Sequence, residues 1–302
     1  EEYAAFSGGC LYLTLNLSSH SCGASVTRVD DIDVFLLEQE SDNGELRSMA
    51  LAARELREPL SNVMITADSL FPLCAAEGNP RTAEQVARLN RGLFQILRII
   101  GNMSDAERCA AVSRQETADI PALFAEFFEK AEALISHTGI ALTYEGLDRP
   151  VYGLADREQL ERAVLNILSN AIKFTPKDGT VAAKLTRSGR MLRLSVTDSG
   201  SGIAQSVRSS VFSRYLRQPA LEDSRYGIGL GMVLIRTAAA HHGGAVLIDQ
   251  PDGKGTRITM TMAIRQSRQA TLRSNVLRVD YAGERDHGLI ELSECLPTEL
   301  YE

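Results

Sequence analysis

Asn166, Asn170 and Lys173 stand four and three residues apart, in a stretch whose Leu160, Val164, Ile167, Leu168 and Ala171 recur at helical spacing. On a helix from Asp156 to Lys173 the two amides and the amine share one face. Such groups are costly to bury without partners. Together they suit a magnesium ion bridging phosphates, because amide oxygens ligate the metal and the ammonium meets anionic oxygens. Taken alone, the same spacing also describes a solvated helix face.

Further along, "DSGSGIA" (Asp198 to Ala204) falls where a strand ends and the chain turns. Glycines there let the backbone approach a flat ligand, and a carboxylate beside them accepts a hydrogen bond from an exocyclic amine such as adenine's. A plain turn has the same composition. "GIGLGM" (Gly227 to Met232) opens a helix, where free backbone N–H groups and the helix dipole favour phosphate oxygens. Its spacing fits neither a P-loop nor a strand-led dinucleotide fingerprint.

The order N-x-x-x-N-x-x-K, D-x-G-x-G, G-x-G-x-G is hard to reach by chance. It resembles the GHKL superfamily and, within it, the sensor histidine kinases. "LNILSNAIKFTPKDG" is similar to their N box, "DSGSGI" to the first glycine box, "VFSRY" to the F box and "GIGLGM" to the second glycine box, with "AHHGGAVLI" and "PDGKGTRITM" like the closing strands. The resemblance covers roughly residues 42 to 264. It implies ATP and Mg2+ as cofactors, with Asn170, assisted by Asn166, as magnesium ligand, Lys173 on phosphate and Asp198 on adenine. Gly200 and Gly202 would border the adenine, and Gly227, Gly229 and Gly231 would cradle phosphates. Residues 205 to 226 correspond to a lid that orders with ligand, carrying Arg214, Arg217 and Arg225 either toward phosphate or into solvent.

One part of the pattern is broken. Where the family carries H-E-L-R-T-P-L, this chain has "RELREPL", Arg54 to Leu60. Glu55 keeps the acid/base position and Pro59 the helix kink, but Arg54 replaces the phosphoacceptor. Phosphoryl transfer to histidine needs a neutral ring nitrogen with a lone pair, and guanidinium has none to give. Glu58 replaces the Thr or Asn that positions water for dephosphorylating a partner. The five histidines, His20, His137, His241, His242 and His287, lie off this hairpin. His137 and His287 read as surface residues, and His241 and His242 close a helix.

The elements that must position these groups follow from periodicity. Leu46, Met49, Ala53, Leu56, Leu60, Val63, Ala67, Leu70 and Cys74 alternate spacings of three and four, and a second seam, Val86, Leu89, Leu93, Ile96, Ile100, Met103 and Ala110, follows the breaker "EGNPRT". Two such helices pack antiparallel and leave apolar surface that a second copy would cover in a four-helix bundle. An ordinary hairpin in a monomer is the alternative. Before them, residues 9 to 38 alternate as strands, expected as a small sheet beside the next helix, or as the tail of a PAS-like sensor. After them, interleaved helices and strands indicate an α/β sandwich.

The expected organisation is therefore α+β: a β-rich segment (1–40), a two-helix dimerisation and phosphoacceptor-like domain (41–116), a GHKL, or Bergerat-type, ATP-binding domain (117–266) and a C-terminal extension (267–302) containing "GLIELSECLP", to which no role attaches. The 302 residues suit two or three domains, and 44% hydrophobic and 24% charged residues describe a globular protein. A net charge of −7 with scattered cations argues against nucleic acid. The five cysteines form no C-x-x-C pair and read as reduced cytosolic thiols. No apolar run reaches the ~18 to 20 residues of a membrane span, although a longer parent protein could carry an anchor. The resemblance implies a histidine-kinase-like homodimer that binds Mg-ATP in two-component signalling, serving a response regulator or another kinase subunit. A GHKL serine kinase and a catalytically inactive interaction module are the alternatives.

Overall fold

The computed structural model describes residues 3, 6, 8–16, 21–29, 32–37, 42–76, 80–111, 115–203, 230–251, 254–266 and 285–301. An eight-stranded sheet runs in the order β3-β2-β1-β9-β10-β8-β7-β5. Its strands are β1 (Cys10–Asn16), β2 (Ser21–Val29), β3 (Ile32–Leu37), β5 (Ala141–Glu145), β7 (Thr180–Ser188), β8 (Met191–Asp198), β9 (Val246–Asp249) and β10 (Thr256–Ala263). All neighbours are antiparallel except β5 and β7. The short strands β4 (Glu116–Asp119) and β6 (Tyr152–Ala155) pair separately. Helices α3 (Ile120–Ile135), α4 (Arg157–Phe174) and α5 (Leu230–His241) pack against the large sheet.

The period of two decides which side of the sheet is core. Val181, Ala183 and Leu185 of β7 are buried, and so are Leu192, Leu194 and Val196 of β8. Asp198 continues that same register, so a carboxylate arrives on the buried side at the end of its strand.

The N-terminal strands differ from the expected separate sheet beside the first helix. β1 pairs directly with β9, Cys10 opposite Ile248 and Tyr12 opposite Val246, so the three strands extend the sheet of the following domain. An unpaired β9 edge would leave backbone donors and acceptors without partners, and β1 supplies them. The Arg236 guanidinium of α5 lies 4.8 Å from the centroid of the Tyr12 ring, fixing the new strand to the helical layer.

The hairpin comprises α1 (Asp42–Ala76) and α2 (Pro80–Ala111), and α1 runs unbroken through Pro59. Its apolar seam divides by heptads. Ala53, Leu60 and Ala67 are buried, whereas Leu56, Val63 and Leu70, each three residues later, are exposed. On α2, Leu93 and Ile100 are buried while Leu89 and Ile96 are exposed. The buried residues of each seam close the hairpin, and the exposed ones face outward. Among the described residues no helix is long and apolar enough to cross a membrane.

The C-terminal extension, unassigned from sequence, contributes α6 (His287–Glu291) and a 3-10 turn (Thr298–Tyr301). Ile290, Leu292, Leu296 and Tyr301 are buried, which places this segment in the main core with α2 and α4.

Candidate functional site

Helix α4 starts cleanly because the Asp156 carboxylate accepts from the Gln159 N–H at 3.2 Å, an N-cap that satisfies an otherwise orphan donor. The buried His242 ring sits behind this cap. Its Nε2 accepts from the Asp156 N–H at 3.0 Å, while Nδ1 donates to the Ala238 carbonyl at 2.7 Å. The acceptor role of Nε2 requires the neutral ring, and burial lowers the pKa of His242 below its ordinary value. His241 pairs with Gln159, and His287 is half-buried against Glu161 at 3.2 Å, so His287 is not the surface residue its sequence context indicated. His137 is exposed, and His20 lies outside the described residues.

Asn166 is 1% exposed, which rules out the solvated helix face. Its amide nitrogen donates to the Arg162 carbonyl at 2.9 Å and to Glu291 Oε2 at 3.3 Å. Both partners are acceptors, so the amide orientation is forced. Among the described residues the remaining Oδ1 is buried without a hydrogen-bond partner. It lies under the first turn of α5, where a Cβ on Gly231 would come within 2.8 Å of it. Asn170, half-buried, donates to the Met232 sulfur at 3.7 Å on the same turn. The N-x-x-x-N helix and the end of "GIGLGM" therefore touch, and glycine at 231 is required by the close approach.

The D-x-G-x-G turn closes on the other end of α4. A Cβ on Gly200 would lie 2.3 Å from the Phe174 carbonyl oxygen, and Gly202 has φ +73, a backbone conformation suited to glycine. Asp198 Oδ1 accepts from the backbone N–H of Gly200 at 2.9 Å and of Thr256 at 3.1 Å. Burial raises the Asp198 pKa, opposed by those two N–H groups and by the Thr256 side chain. Thr256 was not singled out from the sequence. Its only signal was its place in "GKGTRITM", where the next strand begins.

Lys173 forms an ion pair with Glu294 of the C-terminal segment. The carboxylate is shared with Arg98 of α2, whose Nη1 stands 3.0 Å away. The buried Glu291 meets Arg98 Nε at 3.3 Å and Arg162 Nε at 3.0 Å. Arg98, Arg162, Glu291 and Glu294 were all missed, although two acids three apart in the apolar run "GLIELSECLP" were the available signal. Arg54, Glu55 and Glu58 are exposed on α1. Gly227, Gly229 and the arginines 214, 217 and 225 lie outside the described residues.

Two amide side chains, one with an orphaned buried oxygen, an ammonium group, a strand-end carboxylate and glycine-lined backbone thus converge around α4. The oxygen donors suit a hard divalent cation, and the carboxylate beside a glycine turn suits an amino-substituted heterocycle. Residues 155–266 match the family model of the histidine kinase-, DNA gyrase B- and HSP90-like ATPases. These residues carry a GHKL ATPase domain, and the chain as a whole is similar to sensor histidine kinases.

The chain is 30% identical over 277 residues to an uncharacterized sensor-like histidine kinase of Rhizobium meliloti, covering 86% of this chain and 52% of that relative. It is 27% identical over 264 residues to the adaptive-response sensory kinase SasA of Synechocystis, covering 82% of this chain and 68% of SasA. It thus spans about half the length of the first of these relatives. Full-length ShkA, crystallised with AMPPNP, shares the fold with a TM-score of 0.55 at 23% identity, over 73% of this chain and 46% of ShkA.

Proposed function

We propose that this chain binds Mg-ATP in the pocket around α4 and acts in two-component signalling as a histidine-kinase-like protein that cannot phosphorylate itself at the usual position of its hairpin. The observation that carries the reading is the contact of the buried, unpartnered Asn166 Oδ1 with the Gly231 turn, because it joins two separate sequence motifs at a group that needs a ligand. Asn166 and Asn170 would hold the cation, and Asp198 would accept from the adenine amine through the oxygen that its two backbone donors leave available. Gly200 and Gly202 let the base approach the backbone, and the first turn of α5 offers N–H groups to phosphate. When bound, Mg2+ neutralises phosphate charge and fixes the orientation of the triphosphate.

The hairpin supports the second half of the reading. Arg54 is exposed on α1, and a guanidinium has no lone pair to give the γ-phosphate. The outward residues Leu56, Val63, Leu70, Leu89 and Ile96 form a seam that fits a second copy in a four-helix bundle. A response regulator or another kinase subunit would be the recipient of signal.

Titration with Mg-ATP of the wild type and of Asn170→Ala, combined with labelling of Arg54→His by radiolabelled ATP, tests both halves. Binding to the wild type, weakened by Asn170→Ala, and acid-labile, alkali-stable phosphate only in Arg54→His are the expected results. Such phosphate on the wild type would remove the claim about Arg54. Failure of the wild type and of the variants described next to bind at millimolar nucleotide would remove the claim about ATP.

A further inference from the structure

The C-terminal segment neutralises the very side chains that the nucleotide reading requires. Glu294 takes Lys173, and Glu291 takes the Asn166 amide nitrogen. Neither acid is there by chance of surface charge: Glu291 is 0% exposed and Glu294 sits on two cations. Burial opposes ionisation of Glu294, but the charges of Arg98 and Lys173 and their hydrogen bonds hold its pKa below the ordinary carboxylate range. A buried carboxylate with only one cation would be a poor arrangement, and here two converge from different domains.

Arg98 comes from the hairpin and also donates to Ser169 Oγ of α4 at 3.1 Å. Lys173 and Arg98, with Ser169 beside them, thus make an anion subsite spanning α4 and α2. We infer that this subsite is built for nucleotide phosphate and that residues 285–301 are its intramolecular occupant, with the Glu294 carboxylate standing where a phosphate oxygen would bind. The inference rests on the nucleotide reading and extends it, since it adds Arg98 of the hairpin to the site and makes the tail a competitor.

The tail is well anchored for this role. Arg91 of α2 donates to the carbonyls of Ser293 at 2.9 Å and Glu294 at 3.1 Å. Asn90 donates to the Tyr301 carbonyl at 2.8 Å, and the Tyr301 ring packs edge-on against Phe94 at 5.2 Å. The Tyr301 hydroxyl closes the segment on itself by donating to the Leu289 carbonyl at 2.7 Å. A competitor tethered in the same chain acts at an effective concentration of about millimolar, so it opposes nucleotide at cellular levels. Because the same residues join the hairpin to the ATPase domain, displacement of the tail by nucleotide would release the two from each other.

The test compares the full chain with Glu294→Gln and Arg91→Ala, the second of which loosens the tail without touching the pocket. Mg-ATP affinity should rise about tenfold in both, because the fraction of competent molecules rises. Adenosine, which lacks phosphates, should bind all three proteins equally. Hydrogen exchange at Leu289 to Leu300 should accelerate on adding Mg-ATP to the wild type. Equal Mg-ATP affinities in all three proteins would overturn the tail inference and leave the nucleotide reading standing. Equal gains for adenosine and Mg-ATP would show general loosening and would also overturn it. If none of the three binds Mg-ATP, both readings fall together, and folding of each variant is checked by its melting curve.

Discussion

The two ends of the candidate site around α4 are held by different means. At the adenine end, Asp198 is fixed by backbone N–H groups of Gly200 and Thr256, all within one sheet and its adjoining turn. At the end proposed for phosphate, the Asn166 amide nitrogen and Lys173 meet Glu291 and Glu294, which come from a segment more than a hundred residues away in sequence. Backbone partners cannot be exchanged without unfolding a strand, whereas side-chain ion pairs can trade one anion for another. On the proposed reading, the first end would be preorganised for a flat base and the second poised between an internal carboxylate and a phosphate.

The largest expected effect lies at the rigid end. Asp198→Asn keeps Oδ1 to receive its two backbone donors but turns an NH2 toward the adenine amine, so two donors face each other. Nucleotide affinity should fall about 100-fold, as for any site that loses a matched hydrogen bond. Its melting temperature should not fall, because burial raises the Asp198 pKa, so the charged form costs stability once pH exceeds the unfolded carboxylate value. A lower melting temperature would mean that the carboxylate serves the fold, and the contrast between the two ends would lose its basis.

Gly231→Ala sharpens the comparison at the phosphate end. The added Cβ, 2.8 Å from Asn166 Oδ1, must displace either the amide or the first turn of α5. Mg-ATP affinity should drop about tenfold with little change for adenosine, a split that competition titrations would read. An equal loss for both ligands would show that the two ends do not act separately.

The smallest effect concerns the scaffold beneath both. His242 is buried with a lowered pKa, and His241 is shifted the same way by burial. Asp156 raises both, while His241 and Arg265 lower His242 further. A histidine whose folded pKa is depressed contributes stability that is full above the unfolded value of ~6.5 and is lost as pH falls from there through the folded pKa. Urea midpoints measured between pH 7.5 and pH 5 should therefore decline, and His242→Gln should flatten the decline. A wild-type midpoint independent of pH would show that the ring accepts a proton in place.

The helix face and the strand end that carry the candidate residues were legible beforehand because their spacing is local. Asn166, Asn170 and Lys173 share a helix face by spacing alone, and Asp198 reaches the core side because it continues the alternation of Leu192, Leu194 and Val196. The division of the hairpin seam was half legible: heptad spacing picked out Leu56 and Leu60 alike but could not say which faced α2. The N-terminal strands were read correctly as strands and placed wrongly. Alternation specifies a pleated element without naming the edge that will accept it, and β1 found β9.

The sequence by itself determined the three motifs, their order, the helical hairpin and the arginine that opens "RELREPL" at position 54, since each depends on residue type and on spacings of a few positions. The tertiary structure alone decided that Asn166 is buried with an idle oxygen, that Thr256 supports Asp198 and that Glu291 and Glu294 meet the cations of α2 and α4. Long-range ion pairs leave no periodic trace, because the partner of a charge is set by the packing of whole elements and not by its neighbours in the chain.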